Sequence, residues 1–362
     1  MAALRDVIVV GGGPAGLATA LAAARKDLDV LLLERGALPA DKACGEGLLP
    51  LGVEALGRLE VTPLLDASAR TALRALRWVD GELCLDLPLP GPGGLGVRRT
   101  ALSAALAAAA RAAGVEVREG WSVSAHRRAA DHVEVRGPEG AERGRLLVAA
   151  DGLTSAIRRR EGLELPPGGA PRFGLRRHFA LPPWVDAVEV HFGDGVEAYV
   201  TPVGPHRVCV AFLVEEAARA PYRQLLARFP ALQERLDGAE LDSPPAGAGP
   251  LARSARARVL DRLVLAGDAG GYVDAITGEG LSLALRGAIE LARVLPRALA
   301  RGASQQALAG WERGEARRFG RYAATARFVL GLARRPSARR ATMSFLSRHP
   351  RLGARLLGAA IG

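Results

Sequence analysis

The sequence predicts an α/β fold: a strand–turn–helix framework, interrupted by an antiparallel sheet and closed by C-terminal helices. Three observations predict it. Short apolar runs at Asp6–Val10 and Arg262–Asp268 each lead into a glycine-rich turn and then a long helical pattern. Between them, Ala187–Phe192 alternates, with Val188, Val190 and Phe192 on one face and Glu189 and His191 on the other. Beyond Glu312, apolar residues recur among arginines in helical patterns broken at Pro336 and Pro350.

Composition bounds the function. The 362 residues, 49% hydrophobic and 24% charged, suffice for one large or two intimate domains and exclude a disordered chain. No run of eighteen apolar residues occurs, so no spanning helix is expected. Residues 1–11 enter a strand pattern directly and leave no room for a signal peptide. Cys44, Cys84 and Cys209 are odd in number and far apart, which fits neither a disulfide framework nor a metal-spaced set. A cytoplasmic protein without metal is the expectation. The net charge of +11 is concentrated: Glu312 to Gly362 holds twelve Arg and two Glu, and the other 311 residues are close to neutral. Such a tail fits an anionic membrane, an acidic carrier protein, or simply a solvated face. It carries no nucleic-acid motif, so no nucleic-acid partner is expected.

The first element is the strand Asp6–Val10. Gly11-Gly12-Gly13-Pro14-Ala15-Gly16 follows, then a helix to about Lys26 and a second strand, Asp29–Leu33, ending at Glu34-Arg35. This is G-x-G-x-x-G in the context that gives it meaning: strand, tight turn, helix, strand, acidic residue. Gly11 permits the turn, Gly13 lets backbone approach a pyrophosphate, and Gly16 lets the helix pack on the sheet. The helix N-terminus then presents free N–H groups to phosphate, and Glu34 accepts from ribose hydroxyls.

The second element is the strand Arg262–Asp268, closing on Gly267-Asp268. Through Gly278-Glu279-Gly280-Leu281 it runs into a helix lasting to about Arg297. A carboxylate at a strand end suits a sugar-like hydroxyl, and a glycine-flanked helix N-terminus suits a flat ring carrying negative charge. Between the two lies Ala149 to Arg158, containing Asp151-Gly152.

In this order and at these distances, the three blocks resemble the flavoprotein superfamily of aromatic hydroxylases and geranylgeranyl reductases, over most of residues 1–300. The resemblance implies FAD, held in a glutathione-reductase-type Rossmann-like domain with an inserted antiparallel-sheet substrate domain and C-terminal helices. By position it implies that Gly11, Gly13, Pro14, Ala15, Gly16, Glu34 and Arg35 hold the ADP half. Arg99, ahead of the Ala-rich helix 101–113, matches the arginine that meets the pyrophosphate. Val123, expected in the strand after that helix, matches the residue whose backbone meets adenine. Asp268, Gly278, Gly280 and Leu281 would contact the flavin half, and Asp151 would brace the FAD loop. NAD(P)H is implied as a transient reductant without a fingerprint of its own.

Within the superfamily the residues point two ways. Lys42-Ala43-Cys44-Gly45-Glu46-Gly47 is similar to the Cys-Gly-rich loop of the reductase branch, as is Thr277-Gly278-Glu279-Gly280. Cys44, Gly45 and Gly47 would then lie beside the flavin, Cys44 either in the chemistry or packed behind the turn. Reductases of prenyl lipids, however, show Tyr-x-Trp, seven residues, then Gly-x-Gly. Here the stretch reads Tyr199-Val200-Thr201, then Cys209-Val210-Ala211, so only the tyrosine is kept. The leading expectation is therefore an FAD-dependent, NAD(P)H-using monooxygenase that hydroxylates a phenolic or polyketide-like molecule of secondary metabolism. A geranylgeranyl-reductase-like enzyme saturating lipid double bonds is the alternative, and a flavoprotein oxidising a peptide or partner protein the third. Arg176, His178, His191 and Tyr199 are polar candidates for the substrate, but strand alternation equally places His191 and Glu189 in solvent. No catalytic acid or base is named.

The expected organisation is discontinuous. Residues 1–75, 96–165 and 255–310 form the FAD domain, 76–95 and 166–254 the substrate domain, and 311–362 the basic tail. The tail helices are expected to pack on the FAD domain and cover the active site. A sharper expectation is that they dock an anionic membrane or an acidic carrier holding an aromatic or lipophilic substrate, leaving the protein peripheral at the membrane.

Overall fold

The computed structural model describes residues 4–361, without the side chain of Ala217. Five parallel strands form the centre of the main sheet, in the order Leu263–Leu265, Gly140–Ala149, Leu4–Val10, Val30–Leu33, Glu116–Arg118. Val7–Val10, Val30–Leu33, Leu146–Ala149 and Leu263–Leu265 are unbroken apolar runs because both faces are covered there. Val7, Val9 and Leu32 pack under the helices Pro14–Ala24, Arg99–Ala112 and Gly280–Ala300. Ile8, Val10, Leu31 and Leu33 face Trp121 and an antiparallel meander, Ala125–Arg128 with Val133–Gly137. Glu312 closes one open edge: its Oε1 accepts from the backbone N–H groups of Arg258 (2.7 Å) and Val259 (3.1 Å).

The second sheet runs Glu240–Leu241, Arg172–Ala180, Arg207–Glu215, Val196–Gly204, Ala187–Phe192, Ala75–Asp80, Leu83–Pro88. All its pairs along this order are antiparallel except Ala187–Phe192 with Ala75–Asp80, where the insert joins the sheet. Its two faces carry separate cores, Val200, Val210 and Phe212 in one and Val190, Tyr199 and Leu213 in the other.

Two expectations are corrected here. The strand beginning near Arg262 stops at Leu265, and Asp268 lies in a short turn, Gly267–Gly270. Gly267 has φ +57° and its Cα packs over Ala15, so the chain leaves the sheet there and turns across the first helix. The tail also departs from expectation. The helix Gln305–Ala333 packs on the flavin-side helix Gly280–Ala300, but Met343 and Leu346 of Pro336–Arg348 bury against Leu85 and Leu87 of the inserted hairpin. Gly353 of the last helix, Pro350–Ile361, lies against Leu87 as well. The hairpin exposes apolar Leu85 and Leu87 on one face, and the tail supplies the cover.

Candidate active site

The three sequence blocks converge at the C-terminal ends of the parallel strands. Gly16 sits so close to Gly11 that a Cβ there would overlap the Gly11 carbonyl oxygen, which sets the first helix hard against the turn. That helix starts at Pro14 with Gly13 as its N-cap and no side-chain cap, so its first N–H groups stay available. Glu34 is buried at the end of the second strand; its Oε2 accepts from the Gly12 N–H and its Oε1 from the Gly36 N–H (3.1 Å). Arg35 beside it is exposed.

Arg99 opens its helix as a buried residue, with Nη2 4.0 Å from where a Gly13 Cβ would stand. Its Nε has no partner, and neither has Oδ1 of Asp151, whose Oδ2 accepts from the Ile157 N–H (3.1 Å). Asp268 lines the cleft with its carboxyl enclosed by protein. Burial pushes its pKa up to about 6, with Arg99, Lys42 and Arg158 drawing it back down. Gly280 begins the long helix over the Tyr272 ring, and Gly278 precedes it at φ +69°. Leu281 is half-buried on that first turn.

Val123 is a correction. It lies in the irregular segment between Glu116–Arg118 and Ala125–Arg128, not in a strand. Gly120 turns the chain at φ +70°, Trp121 drops into the core, and the Trp121 N–H donates to Glu34 O (2.9 Å). The segment therefore crosses the strand ends beside Glu34 instead of running along them.

The loop Lys42–Gly47 joins the two sheets. Cys44 Sγ accepts from the Glu46 N–H (3.3 Å), while Cys209 Sγ donates to Cys44 O (3.7 Å). Burial pushes the Cys44 thiol above its ordinary pKa, with the Arg99 charge pulling it back, so Sγ holds its proton at neutral pH. Gly45 is exposed, and Gly47 lies against Val188 of the second sheet.

Several residues that matter were not read from the sequence. Glu46, at φ +59° and fully buried, accepts from the Arg99 N–H (2.8 Å) and from Arg98 Nη1 (3.1 Å) through Oε1. Its Oε2 lies 2.7 Å from His178 Nε2. Ser243 Oγ accepts the His178 backbone N–H (3.1 Å) and lies 2.8 Å from Nδ1, so both ring nitrogens have polar partners. Arg176 is buried in the same cluster, paired to Asp41. Glu46, His178 and Cys209 present ligand-type atoms within 4.8 Å of one another, but Arg98 Nη1 reaches both Glu46 and His178 and already supplies the positive charge. Arg158, fully buried, donates to Leu153 O (2.8 Å), Ala269 O (2.9 Å) and Glu164 (3.0 Å), tying the Asp-Gly block to the Gly-Asp block. A buried arginine one turn after Asp-Gly is legible in sequence only as another charge.

The placement of Glu189 and His191 in solvent is wrong. Glu189 is buried and accepts from Trp184 Nε1 (2.8 Å), with His191 Nε2 3.5 Å away. Tyr199 is buried too, and its hydroxyl donates to Ile276 O (3.1 Å), so the retained tyrosine holds the loop before the flavin-side helix.

A family model described as FAD binding domain matches residues 5–325. The chain belongs to this family of FAD-dependent oxidoreductases. The flavoprotein is 31% identical to digeranylgeranylglycerophospholipid reductase 2 of Methanopyrus kandleri, over 77% of this chain and 74% of the relative. It is 29% identical to menaquinone reductase of Mycobacterium tuberculosis, with the same coverage. Among solved structures it resembles a flavoprotein/dehydrogenase from Cytophaga hutchinsonii at TM-score 0.86 and 20% identity, covering 98% of this chain and 92% of that one. It also resembles the halogenase PltM in complex with phloroglucinol and FAD at TM-score 0.80 and 18% identity, covering 91% and 76%. The fold is shared with both.

The residues present fit FAD. An uncapped helix N-terminus, the orphaned Arg99 Nε and Asp151 Oδ1, and an enclosed Asp268 carboxyl without an ion-pair partner among the described residues are groups that a pyrophosphate and a polyol would satisfy.

Proposed function

We propose that the flavoprotein is an NAD(P)H-using reductase that saturates a carbon–carbon double bond in the isoprenoid chain of a lipid. The observation that carries this reading is similarity to two reductases across about three quarters of the chain, one of them named for a geranylgeranyl-bearing phospholipid. On that similarity we rank the reductase ahead of the monooxygenase, the reverse of the order read from the residues.

Bound FAD supplies the two-electron donor. The chain's own residues do the rest. Gly13, Arg99 and the first helix hold the pyrophosphate, Glu34 the ribose, and Asp268 the ribityl hydroxyls. Gly280 and Leu281, at the N-terminus of their helix, would face the flavin and offer its positive dipole end to a reduced ring. The Glu46 bridge from Arg99 to His178 fixes the Cys44 loop against the substrate sheet, and Arg158 locks the two motif loops together.

One observation favours the monooxygenase as a second reading. Thr201 pairs directly with Cys209, and Tyr199 with Ala211, so side chains fill the sheet where prenyl-lipid reductases have glycines. One experiment separates the two. FAD-loaded enzyme with NADH or NADPH is given a geranylgeranyl lipid under nitrogen, and a phenolic panel in air. A gain of two hydrogens per double bond supports the reductase. Oxygen insertion into a phenol, with the lipid untouched, would overturn it.

A further inference from the structure

A small cavity of about 70 Å³ lies between the first turns of the helix Gly280–Ala300, the helix Gln305–Ala333 and the end of Pro350–Ile361. Glu279, Ser282 and Arg286 follow one another at helical spacing and line it together, facing Arg318 and Arg321 of the neighbouring helix. Leu49, Leu283 and Ile361 complete its walls.

Two features set this cavity apart from a packing gap. Glu279 Oε2 and Ser282 Oγ are buried without a hydrogen-bond partner, in residues only 8% and 5% exposed. A buried orphan of this kind is costly until something satisfies it. The arginines do not: none makes an ion pair with Glu279 among the described residues, and burial pushes that carboxyl up to about 6, with the Thr277 hydroxyl drawing it back. Arg318 is committed to Glu315 (2.8 Å), whereas Arg286 and Arg321 have no ion pair among the described residues. Unpaired guanidinium groups over apolar walls, with a hydroxyl and a readily protonated carboxyl, form a receptor for an oxyanion.

We propose that this cavity receives the anionic head, a phosphate or carboxylate, of an amphiphilic substrate, with Arg286 and Arg321 as its direct partners. The cavity is the size of a head group, and Leu281, expected to contact the flavin, lies on the same first helical turn as Ser282. Only the nature of that chain rests on the lipid-reductase reading; the recognition of an anion does not.

Calorimetry on the FAD-loaded full chain, at low and moderate salt, tests it with farnesyl phosphate, farnesol and inorganic phosphate. Farnesyl phosphate is expected to bind at least tenfold tighter than farnesol, and inorganic phosphate far more weakly. Arg286→Gln/Arg321→Gln removes that preference, Arg286→Lys/Arg321→Lys restores part of it, and Arg223→Gln/Arg228→Gln, an exposed pair outside the cavity lining, keeps it whole. Melting temperature and flavin absorbance check that each variant is folded. A preference that survives in the Gln pair, or falls equally in the exposed pair, overturns the site. Inorganic phosphate binding as tightly as farnesyl phosphate makes it a free-anion site and overturns the head-group assignment. Because no turnover is read, an enzyme that shows the arginine-dependent preference yet reduces no lipid under nitrogen sinks the reductase reading alone.

Discussion

Asp268 and Arg158 show what single residues contribute. Asp268 has a carboxyl held near pKa 6, above the ordinary range, so the folded protein without FAD binds more protons than the unfolded chain across that interval. Stability therefore falls as pH rises from about 4 to about 6, and D268N is expected to flatten that slope by about 2 kcal/mol, read from urea midpoints at each pH. The buried carboxyl of Glu279 titrates in the same range, so E279Q is the companion variant: a slope that D268N leaves intact and E279Q removes assigns the titration to Glu279. R158M strands the carbonyls of Leu153 and Ala269 and is expected to cost about 3 kcal/mol, with FAD retention falling in parallel. Unchanged FAD content on gel filtration would show that the two motif loops stand without it. Glu46 was legible as a letter in Cys-Gly-Glu-Gly, but its positive φ and its bonds to Arg99 and His178 were not, because those partners are 53 and 132 residues away.

At the scale of elements, the sequence located strands and helices well where the pattern was local. The first helix, Ala187–Phe192 and the breaks at Pro336 and Pro350 all appear as read. It misread those where a tertiary contact overrides the pattern: Gly267 ends a strand early over Ala15, and Trp121 pulls Val123 out of one. The tail helix Pro336–Arg348 is a further case, because Arg339 looks like one basic residue among twelve yet is buried against Asp80 (2.8 Å), with its ring-face contact on Phe192. R339M leaves the Asp80 carboxylate with only Arg340 at 3.2 Å and is expected to cost about 3 kcal/mol and speed trypsin cleavage at Arg334. D80N combined with R339M should recover much of that loss, since no buried charge is then left unpaired. Equal proteolysis in the single and double variants would show that the apolar contacts of Met343 and Leu346 hold the helix alone.

For the whole molecule, charge and exposure are segregated. Among the described residues, four of the eight large exposed hydrophobics, Phe328, Phe345, Leu352 and Leu356, lie in the arginine-rich tail of an otherwise near-neutral chain. No described helix is long and apolar enough to cross a membrane. We propose that this face rests on an anionic bilayer, from which a lipid substrate is drawn. Vesicles with anionic lipid should sediment the protein at low salt and release it at high salt, and L352S/L356S should weaken binding at least fivefold; equal binding to zwitterionic vesicles would refute it. The sequence by itself determined the FAD-binding family and the parallel framework, since these follow from short motifs whose spacing the backbone must respect. Only the tertiary structure decided that Tyr199, His178 and Glu189 are buried braces, that the tail covers the hairpin, and that Glu279 shares a cavity with Arg286 and Arg321. Those facts depend on which distant side chains meet, and local periodicity carries no record of a partner a hundred residues away.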